Sequence, residues 1–304
     1  AEAKGLKRGD RVLAVDGKGP SRAYLWDVLF TSRLLEPHGS SLFILQPPRG
    51  EVRQVIVRTK VTPQKRVWTM SSGLADLIRE TQDRRYLTRH RFQEIGADLL
   101  IWKMPQFDLD IKEVGRILKK AAKHRAVILD LRGNPGGSVG TLSYMVGGFV
   151  DKKVTVNEIR LREETSLVIS EKPSSVFTGT LVVLIDSESG SAAEVFARVM
   201  QLNNRAKVIG DQSMGKVMMS RFYQRHVGIK TVMSFGSSIT VADVTMQDGK
   251  SLERTGVTPD EILLPTADDL ASGRDPVMSR AASLCDVNLD AASAGSLFPI
   301  EWER

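Results

Sequence analysis

The 304-residue sequence has little of what several classes of protein require. It contains one cysteine, Cys285, so no disulfide bond can form within the chain. No apolar run approaches the roughly 20 residues of a membrane-spanning helix, so we expect no membrane span. No signal peptide is recognisable at the start AEAKGLKRGD, so any export signal would lie upstream. The hydrophobic fraction of 41% and charged fraction of 26% are those of an ordinary globular protein.

The positive charge does not indicate a nucleic-acid-binding protein, although the net charge is +7. Basic residues are interspersed with acids, and the basic clusters lack the interleaved aromatics of a single-strand binder. We therefore expect no nucleic-acid partner. The pair Asp108 and Asp110 lacks the glycine and distal glutamate of a calcium loop and is typical of a helix cap. We expect no metal and no cofactor.

The stretch from 179 to 216 organises the rest of the chain. Residues 181–185 are apolar and rich in β-branched side chains, which predicts a strand buried on both faces. A Ser-Glu-Ser-Gly turn leads into residues 192–202, whose apolar pattern predicts a buried helix. Ser191 therefore lies at a strand-to-helix turn, beside the free N–H groups and positive dipole end of the helix.

Ser191 and the glycine-rich run 131–137 each allow more than one interpretation. Ser191 and Glu194 match a capping box, which is the ordinary structural explanation of such a pair. The run LRGNPGG follows a predicted strand at 126–131, and it is either a plain turn or a loop that directs N–H groups at developing negative charge. A Walker site is unlikely because no Gly-Lys-Ser/Thr follows.

The motifs LRGNPGG, GSAAE and GDQSMGK together resemble the signatures of the C-terminal processing peptidases, or tail-specific proteases. These are serine peptidases with a Ser-Lys dyad and an attached PDZ domain, and the resemblance extends over residues from about 1 to 285. It implies that Ser191 is the nucleophile and Lys216 the general base. Their separation, 216 − 191 = 25 residues, is that of the family.

The proposed chemistry follows from the residue types. A serine hydroxyl attacks a peptide carbonyl only when a neighbour accepts its proton. The histidines lie outside the motifs, so Lys216 is the expected base. A lysine can accept a proton when neutral, which a desolvated site favours, and its sequence neighbours Met214, Val217, Met218 and Met219 are apolar. The N–H groups of Gly137 and Ala192 would hold the oxyanion.

Four further residues are assigned supporting roles: Gly136, Glu194, Ser220 and Gln224. Many family members carry glycine directly after the lysine and glutamine four positions beyond it, where the glutamine orients the amine. Here these positions hold Val217 and Ser220, and Gln224 lies eight residues beyond Lys216. The sequence therefore departs from the family pattern in the residues that orient the base.

The alternation of strands and helices predicts an α/β layered fold. The resemblance implies a crotonase-like or ClpP-like spiral peptidase core with an N-terminal partial PDZ-like α+β unit. We predict a partial PDZ-like domain at 1–61, a connector and entry helix at 62–95, the peptidase core at 96–285 and a tail at 286–304. The PDZ-like run GLKRGDRVLAVDG lacks the strands and carboxylate loop that precede it in other members, so it either binds peptide or only orients the core.

The resulting functional expectation is a serine endopeptidase that cleaves polypeptides, at or near their C-termini, through an acyl-enzyme. Polypeptide substrates recognised by their C-terminus, a homo-oligomer and a regulatory adaptor are the expected partners. Family resemblance implies an exported, periplasmic or extracytoplasmic location. Two alternatives stay open: a catalytically silent or gated peptide-binding relative, and a scaffold in which the PDZ-like unit is the active part.

Overall fold

The computed structural model describes residues 5–21, 39–58, 89–171, 173, 175–227 and 233–298. The helix predicted at 23–35 and most of the predicted connector fall outside these residues. The chain divides into two compact units, which are described separately. Unit 1 comprises 1–66, 264–276 and 290–304, and unit 2 comprises 67–263 and 277–289.

Unit 1 contains an antiparallel sheet in the order β1-β2-β3. Its strands are β1 (Arg11–Val15), β2 (Ser40–Gln46) and β3 (Arg53–Arg58). The predicted hairpin around residues 47–50 is confirmed as the β2–β3 pair. Two short helices from the C-terminal part of the chain also belong to this unit, and in the numbering used below they are α4 (Ala267–Ala271) and α6 (Ala291–Ser296).

Unit 2 is organised around a six-stranded sheet in the order β13-β10-β9-β6-β5-β4. All its neighbours pair in parallel except β4 and β5, which are antiparallel. The run 95–104 predicts a strand, and the structure has the shorter strand β5 there, because residues 96–98 form a turn in which Gly96 has a positive φ of 55° and which joins β5 to β4. The strands are β4 (Arg91–Ile95), β5 (Leu99–Lys103), β6 (Ala126–Asp130), β9 (Thr180–Ile185), β10 (Lys207–Gly210) and β13 (Glu261–Ile262).

Three helices connect these parallel strands: α1 (Ile111–Ala121), α2 (Val139–Phe149) and α3 (Ala192–Leu202). Their buried side chains join one apolar cluster with alternate residues of the strands. Each crossover moves one strand further in the same direction, which produces the spiral α/β core that the sequence predicted. Helix α5 (Pro276–Leu284) also belongs almost entirely to this unit and is buried along one side.

A second sheet of unit 2 has the order β11-β12-β7-β8 and is antiparallel. Its first pair, β11 (Met219–Val227) and β12 (Met233–Thr245), continues directly from the loop that carries Lys216. The second pair, β7 (Thr155–Arg160) and β8 (Thr165–Ile169), confirms the hairpin predicted for residues 155–170. The carboxyl ends of the parallel strands and the start of β11 therefore provide the loops from which the site is built.

Candidate active site

Ser191 lies in the turn between β9 and α3, as predicted, and it is the N-cap residue of α3. Its backbone has φ 51° and ψ −118°, a conformation that costs a non-glycine residue of order 1–3 kcal/mol. Gly136 packs so closely that a Cβ there would lie 2.6 Å from the Ser191 Cβ. The turn thus projects a strained serine against the glycine-rich loop.

Backbone bonds join this turn to the lysine loop. The Ser191 N–H donates to the Lys216 carbonyl at 3.0 Å and to Glu194 Oε2 at 3.0 Å. The reverse half of the capping box, from the N–H of Glu194 to the Ser191 hydroxyl, lacks full hydrogen-bond geometry. The capping box therefore depends mainly on the Glu194 carboxylate, and the Ser191 hydroxyl makes the weaker of its two contacts.

The Glu194 carboxylate is fully buried and accepts four hydrogen bonds. Besides the Ser191 N–H, its donors are the Ser213 hydroxyl at 2.5 Å, the Gly215 N–H at 2.7 Å and the Lys216 N–H at 2.9 Å. Burial raises the pKa of Glu194, and these hydrogen bonds oppose the rise. The Glu194 carboxylate thus connects the serine turn with the lysine loop. The sequence predicts only a general supporting role for Glu194, and these contacts make that role specific.

Lys216 lies in a loop whose backbone is held from two sides. On one side, the N–H groups of Gly215 and Lys216 donate to Glu194. On the other, the N–H groups of Val217 and Met218 donate to Glu253 Oε2 at 2.9 and 3.2 Å. The predicted apolar, desolvated setting of Lys216 is wrong: Lys216 is exposed, and Met218 is 41% exposed. Alternate residues of this loop face opposite sides, so Val217 is buried whereas its two neighbours face outward.

The glycine-rich loop is fixed by Asn134, which is fully buried. Its Nδ2 donates to the Met104 carbonyl at 2.9 Å and its Oδ1 accepts the Gly136 N–H at 2.8 Å. The Gly190 N–H, beside the catalytic candidate, donates to the Asn134 carbonyl at 2.9 Å. Asn134 therefore joins the glycine-rich loop to the serine turn, and its side-chain oxygen accepts the hydrogen bond that the Gly136 N–H donates.

The backbone N–H groups of Gly137 and Ala192 lie near Ser191. Neither has a hydrogen-bond acceptor among the described residues. Gly137 has a φ of 143°, and a Cβ there would collide with the Phe107 carbonyl. Ala192 is the first residue of α3, where an N–H has no partner within the helix. Both groups are those assigned to the oxyanion hole from sequence.

Ser220 and Gln224 are exposed residues of β11 that lie four positions apart and so share one face of the strand. Their role in orienting Lys216 stays a prediction. The residues that sequence reasoning missed are Asn134, Ser213 and Glu253. Asn134 and Ser213 lie inside the motifs LRGNPGG and GDQSMGK, whereas Glu253 lies 37 residues beyond Lys216 (253 − 216) and only the fold brings it to the site.

A buried ionic cluster lies beneath the glycine-rich loop, at the ends of β5 and β6. Arg132 contacts both oxygens of Asp130 at 2.9 Å, and Lys103 Nζ lies 3.2 Å from Asp130 Oδ1 and donates to the Arg132 carbonyl at 2.6 Å. Burial alone would raise the pKa of Asp130, but the charges of Arg132 and Lys103 outweigh it and hold the pKa far below its ordinary value. Burial lowers the pKa of Lys103, and Asp130 opposes this.

Replacing Asp130 by asparagine is expected to lower the free energy of unfolding by about 3 kcal/mol, because two cations lose their buried counter-charge. The loss should be complete above pH 3.8, the ordinary pKa of an aspartate, and should shrink as the pH falls further, because the unfolded wild-type chain then binds a proton at Asp130 that the folded state excludes. Urea denaturation at several pH values measures this. The control Asp98→Asn removes an exposed partner of Arg125 and should cost under about 0.5 kcal/mol. Equal effects of the two substitutions would contradict the prediction.

Within the described residues, no group of three or more potential ligand side chains is arranged to hold a metal ion. None of the described helices is long and apolar enough to span a bilayer.

The geometry is that of an α/β hydrolytic fold with a serine on a strained strand-to-helix turn. Residues 98–263 match the sequence profile of Peptidase family S41. The chain therefore belongs to peptidase family S41, which confirms the family predicted from the three motifs.

The curated relatives carry related names. The chain is 26% identical over 275 residues to "Carboxyl-terminal-processing peptidase 1, chloroplastic" of Arabidopsis thaliana, covering 89% of this chain and 51% of the relative. It is 25% identical over 271 residues to the "Carboxyl-terminal-processing protease" of Picosynechococcus sp., covering 86% and 58%. The chain thus spans between half and three fifths of the length of these relatives.

Solved structures show the same fold. Mature CPAF has a TM-score of 0.59 at 17% identity, covering 88% of this chain and 74% of that one. A peptidase structure from Parabacteroides merdae has a TM-score of 0.54 at 17% identity, covering 68% and 69%. At this level of identity the likeness concerns the arrangement of the chain.

Proposed function

We propose that this chain is the peptidase core of a serine endopeptidase that cleaves polypeptides by a Ser-Lys dyad, with Ser191 as nucleophile and Lys216 as general base. The observation that carries the proposal is the meeting of three motifs at one point. The backbone of Ser191 is bonded to that of Lys216 and packs against Gly136, and the two N–H groups without acceptors, of Gly137 and Ala192, belong to the same turn and loop.

Each step uses a group of this chain. The neutral Lys216 amine takes the Ser191 hydroxyl proton as the oxygen attacks the peptide carbonyl. The N–H groups of Gly137 and Ala192 stabilise the oxyanion, and the amine returns the proton to the leaving nitrogen. The acyl group stays on Ser191 Oγ until water, deprotonated by Lys216, releases it. None of these proposed reaction steps uses a bound metal ion.

The substrates we propose are polypeptides cut at or near their C-termini, as the names of the relatives imply for those proteins. The run at residues 5–17 resembles part of a PDZ domain and forms β1, which lies at the edge of a three-stranded sheet. Such an edge suits strand addition by a peptide. By the same family argument we place the protein outside the cytoplasm, in an exported or periplasmic location.

A second candidate is a silent or gated peptide-binding relative of the same fold. Two observations favour it: Lys216 is exposed in this structure, and Val217 and Ser220 replace the residues that many members use beside the lysine. In that case the fold would still bind a polypeptide without cutting it.

Labelling with a fluorophosphonate probe distinguishes these functions. In an active enzyme, Ser191 Oγ attacks phosphorus and expels fluoride, so mass spectrometry should find the adduct on the peptide that contains Ser191. The exposed Ser187 in the same turn offers a matched control: Ser187→Ala should be labelled like wild type and Ser191→Ala should not. An adduct that persists in Ser191→Ala would exclude the proposed nucleophile, and no adduct in any variant favours the silent relative.

A further inference from the structure

Strand β11 leaves the candidate site and has a free edge. It begins at Met219, three residues after Lys216, and the sheet order places it at the outside of its sheet. Its partner on one side is β12, and no described strand pairs with its other side. Unpaired backbone groups of an edge strand can pair with another extended chain. The edge therefore runs from the proposed general base out to Val227.

The outer part of the β11–β12 pair is a ribbon exposed on both sides. Residues 220, 221, 223–225 and 227 of β11 and 236–240 of β12 are all exposed. A two-stranded ribbon without a packed face is marginally stable by itself. Natural proteins usually shorten, cover or charge such strands, and β11 carries charge at Arg221 and Arg225. That charge opposes pairing with another basic strand, so among the described residues this edge favours an occupant of opposite charge.

One face of this ribbon has a definite chemistry. Because side chains alternate along a strand, Arg221, Tyr223 and Arg225 share a face, and Ile239 lies opposite Arg221 on β12. Arginine and tyrosine are the residues enriched where binding energy is concentrated. Residues 219–227 and 233–242 contain no aspartate or glutamate, so the ribbon itself supplies no counter-charge for these arginines.

We propose that β11 is the docking strand for the substrate, which adds along its free edge as an extended chain and places acidic side chains against Arg221 and Arg225. This docking surface, the basic face of β11, rests on the proposed function, because it takes the polypeptide substrate as its occupant. Two observations favour that occupant. The edge is continuous with the loop of Lys216, and the face carries positive charge that complements an acidic segment.

The position of the acidic residues follows from strand geometry. Arg221 is five residues and Arg225 nine residues beyond Lys216 (221 − 216 and 225 − 216). At about 3.3 Å per residue these separations are at most roughly 17 and 30 Å. A peptide strand has the same rise, so the acidic residues should lie about four to nine positions from the cleaved bond. Because β11 leaves the site in one direction, they should lie on one side of that bond only.

The test measures binding separately from cleavage, using Ser191→Ala and fluorescent 20-residue peptides. One peptide has two glutamates on the N-terminal side of the cleaved bond, one has them on the C-terminal side, and one has glutamines. We expect one glutamate peptide to bind about tenfold more tightly than the glutamine peptide. Arg221→Glu with Arg225→Glu should abolish that gain and leave the glutamine peptide unchanged. The matched control Arg162→Glu reverses an exposed arginine on the β7–β8 turn and should have no effect.

The outcomes are distinguishable. The docking proposal is overturned if glutamates on both sides of the bond increase the binding affinity equally, or if glutamates on neither side increase it. It is also overturned if the increase in affinity persists in the Arg221→Glu, Arg225→Glu double variant. A wild type that binds with the expected asymmetry and cuts nothing would instead refute the proposed peptidase activity and leave the surface intact. N-methylation of alternate peptide amides supplies the last check, since only one of two adjacent positions should weaken a chain that adds as a strand.

Discussion

Ser191→Ala and Lys216→Ala are each expected to lower the rate of casein cleavage at least about 10³-fold. Alanine at 191 has no nucleophilic oxygen, and alanine at 216 leaves the Ser191 hydroxyl without a base. The residues act as one unit, so the double variant should lose little more activity than either single variant.

Two control variants separate chemistry from folding. Ser187→Ala and Lys152→Ala change exposed residues of the same types in unit 2 and should cleave casein at the wild-type rate. Thermal unfolding should confirm that Ser191→Ala is folded, because alanine keeps the same Cβ at the positive φ of residue 191 and so adds no backbone strain. Substantial cleavage by either catalytic variant would refute the dyad.

The second large effect concerns Glu194→Gln, which we expect to lower kcat about 10²- to 10³-fold while KM changes little. Glutamine has one acceptor oxygen, and its NH₂ group would face N–H donors that the carboxylate now binds. The Ser191 turn and the Lys216 loop would separate slightly, and misplacement by about 1 Å can cost 10²-fold in rate. Steady-state kinetics on a peptide substrate measures the two parameters.

A structural contribution alone would not produce this result. If Glu194 only stabilised α3, its replacement would lower the melting temperature and leave the kcat of the folded fraction intact. Glu188→Gln is the control, since Glu188 is an exposed residue of the same turn. Unchanged kcat in folded Glu194→Gln, or an equal loss in Glu188→Gln, would disprove a positioning role.

The parts of the fold that sequence predicts well are those fixed by local pattern. Helix α3 begins and ends at the predicted residues, 192 and 202, because a turn with a capping pair precedes it and the buried pattern is continuous. The position of Ser191 follows from the same boundary. The turn between β4 and β5 does not follow from the apolar pattern of residues 99–104, because a single glycine, Gly96, decides it.

The site is predicted less completely, since its precision depends on contacts between distant segments. Ser213 lies within the motif GDQSMGK, but its bond to the Glu194 carboxylate, 19 residues away (213 − 194), does not follow from that motif. Glu253 binds the lysine loop from outside the three motifs. The exposure of Lys216 was also missed: apolar neighbours in sequence do not surround a side chain when the backbone alternates its facing direction. The sequence indicates the candidate residues Ser191 and Lys216, and the fold shows the contacts that hold their loops.

The four consecutive amides held around Lys216 have a kinetic consequence. With the amides of residues 215–218 bonded to two carboxylates, this loop can move as a lid only if four hydrogen bonds break together. Lid opening and local unfolding take microseconds to seconds, far longer than side-chain motions. A change of backbone conformation at the proposed base would therefore be slow, and we expect the loop to keep one conformation throughout turnover.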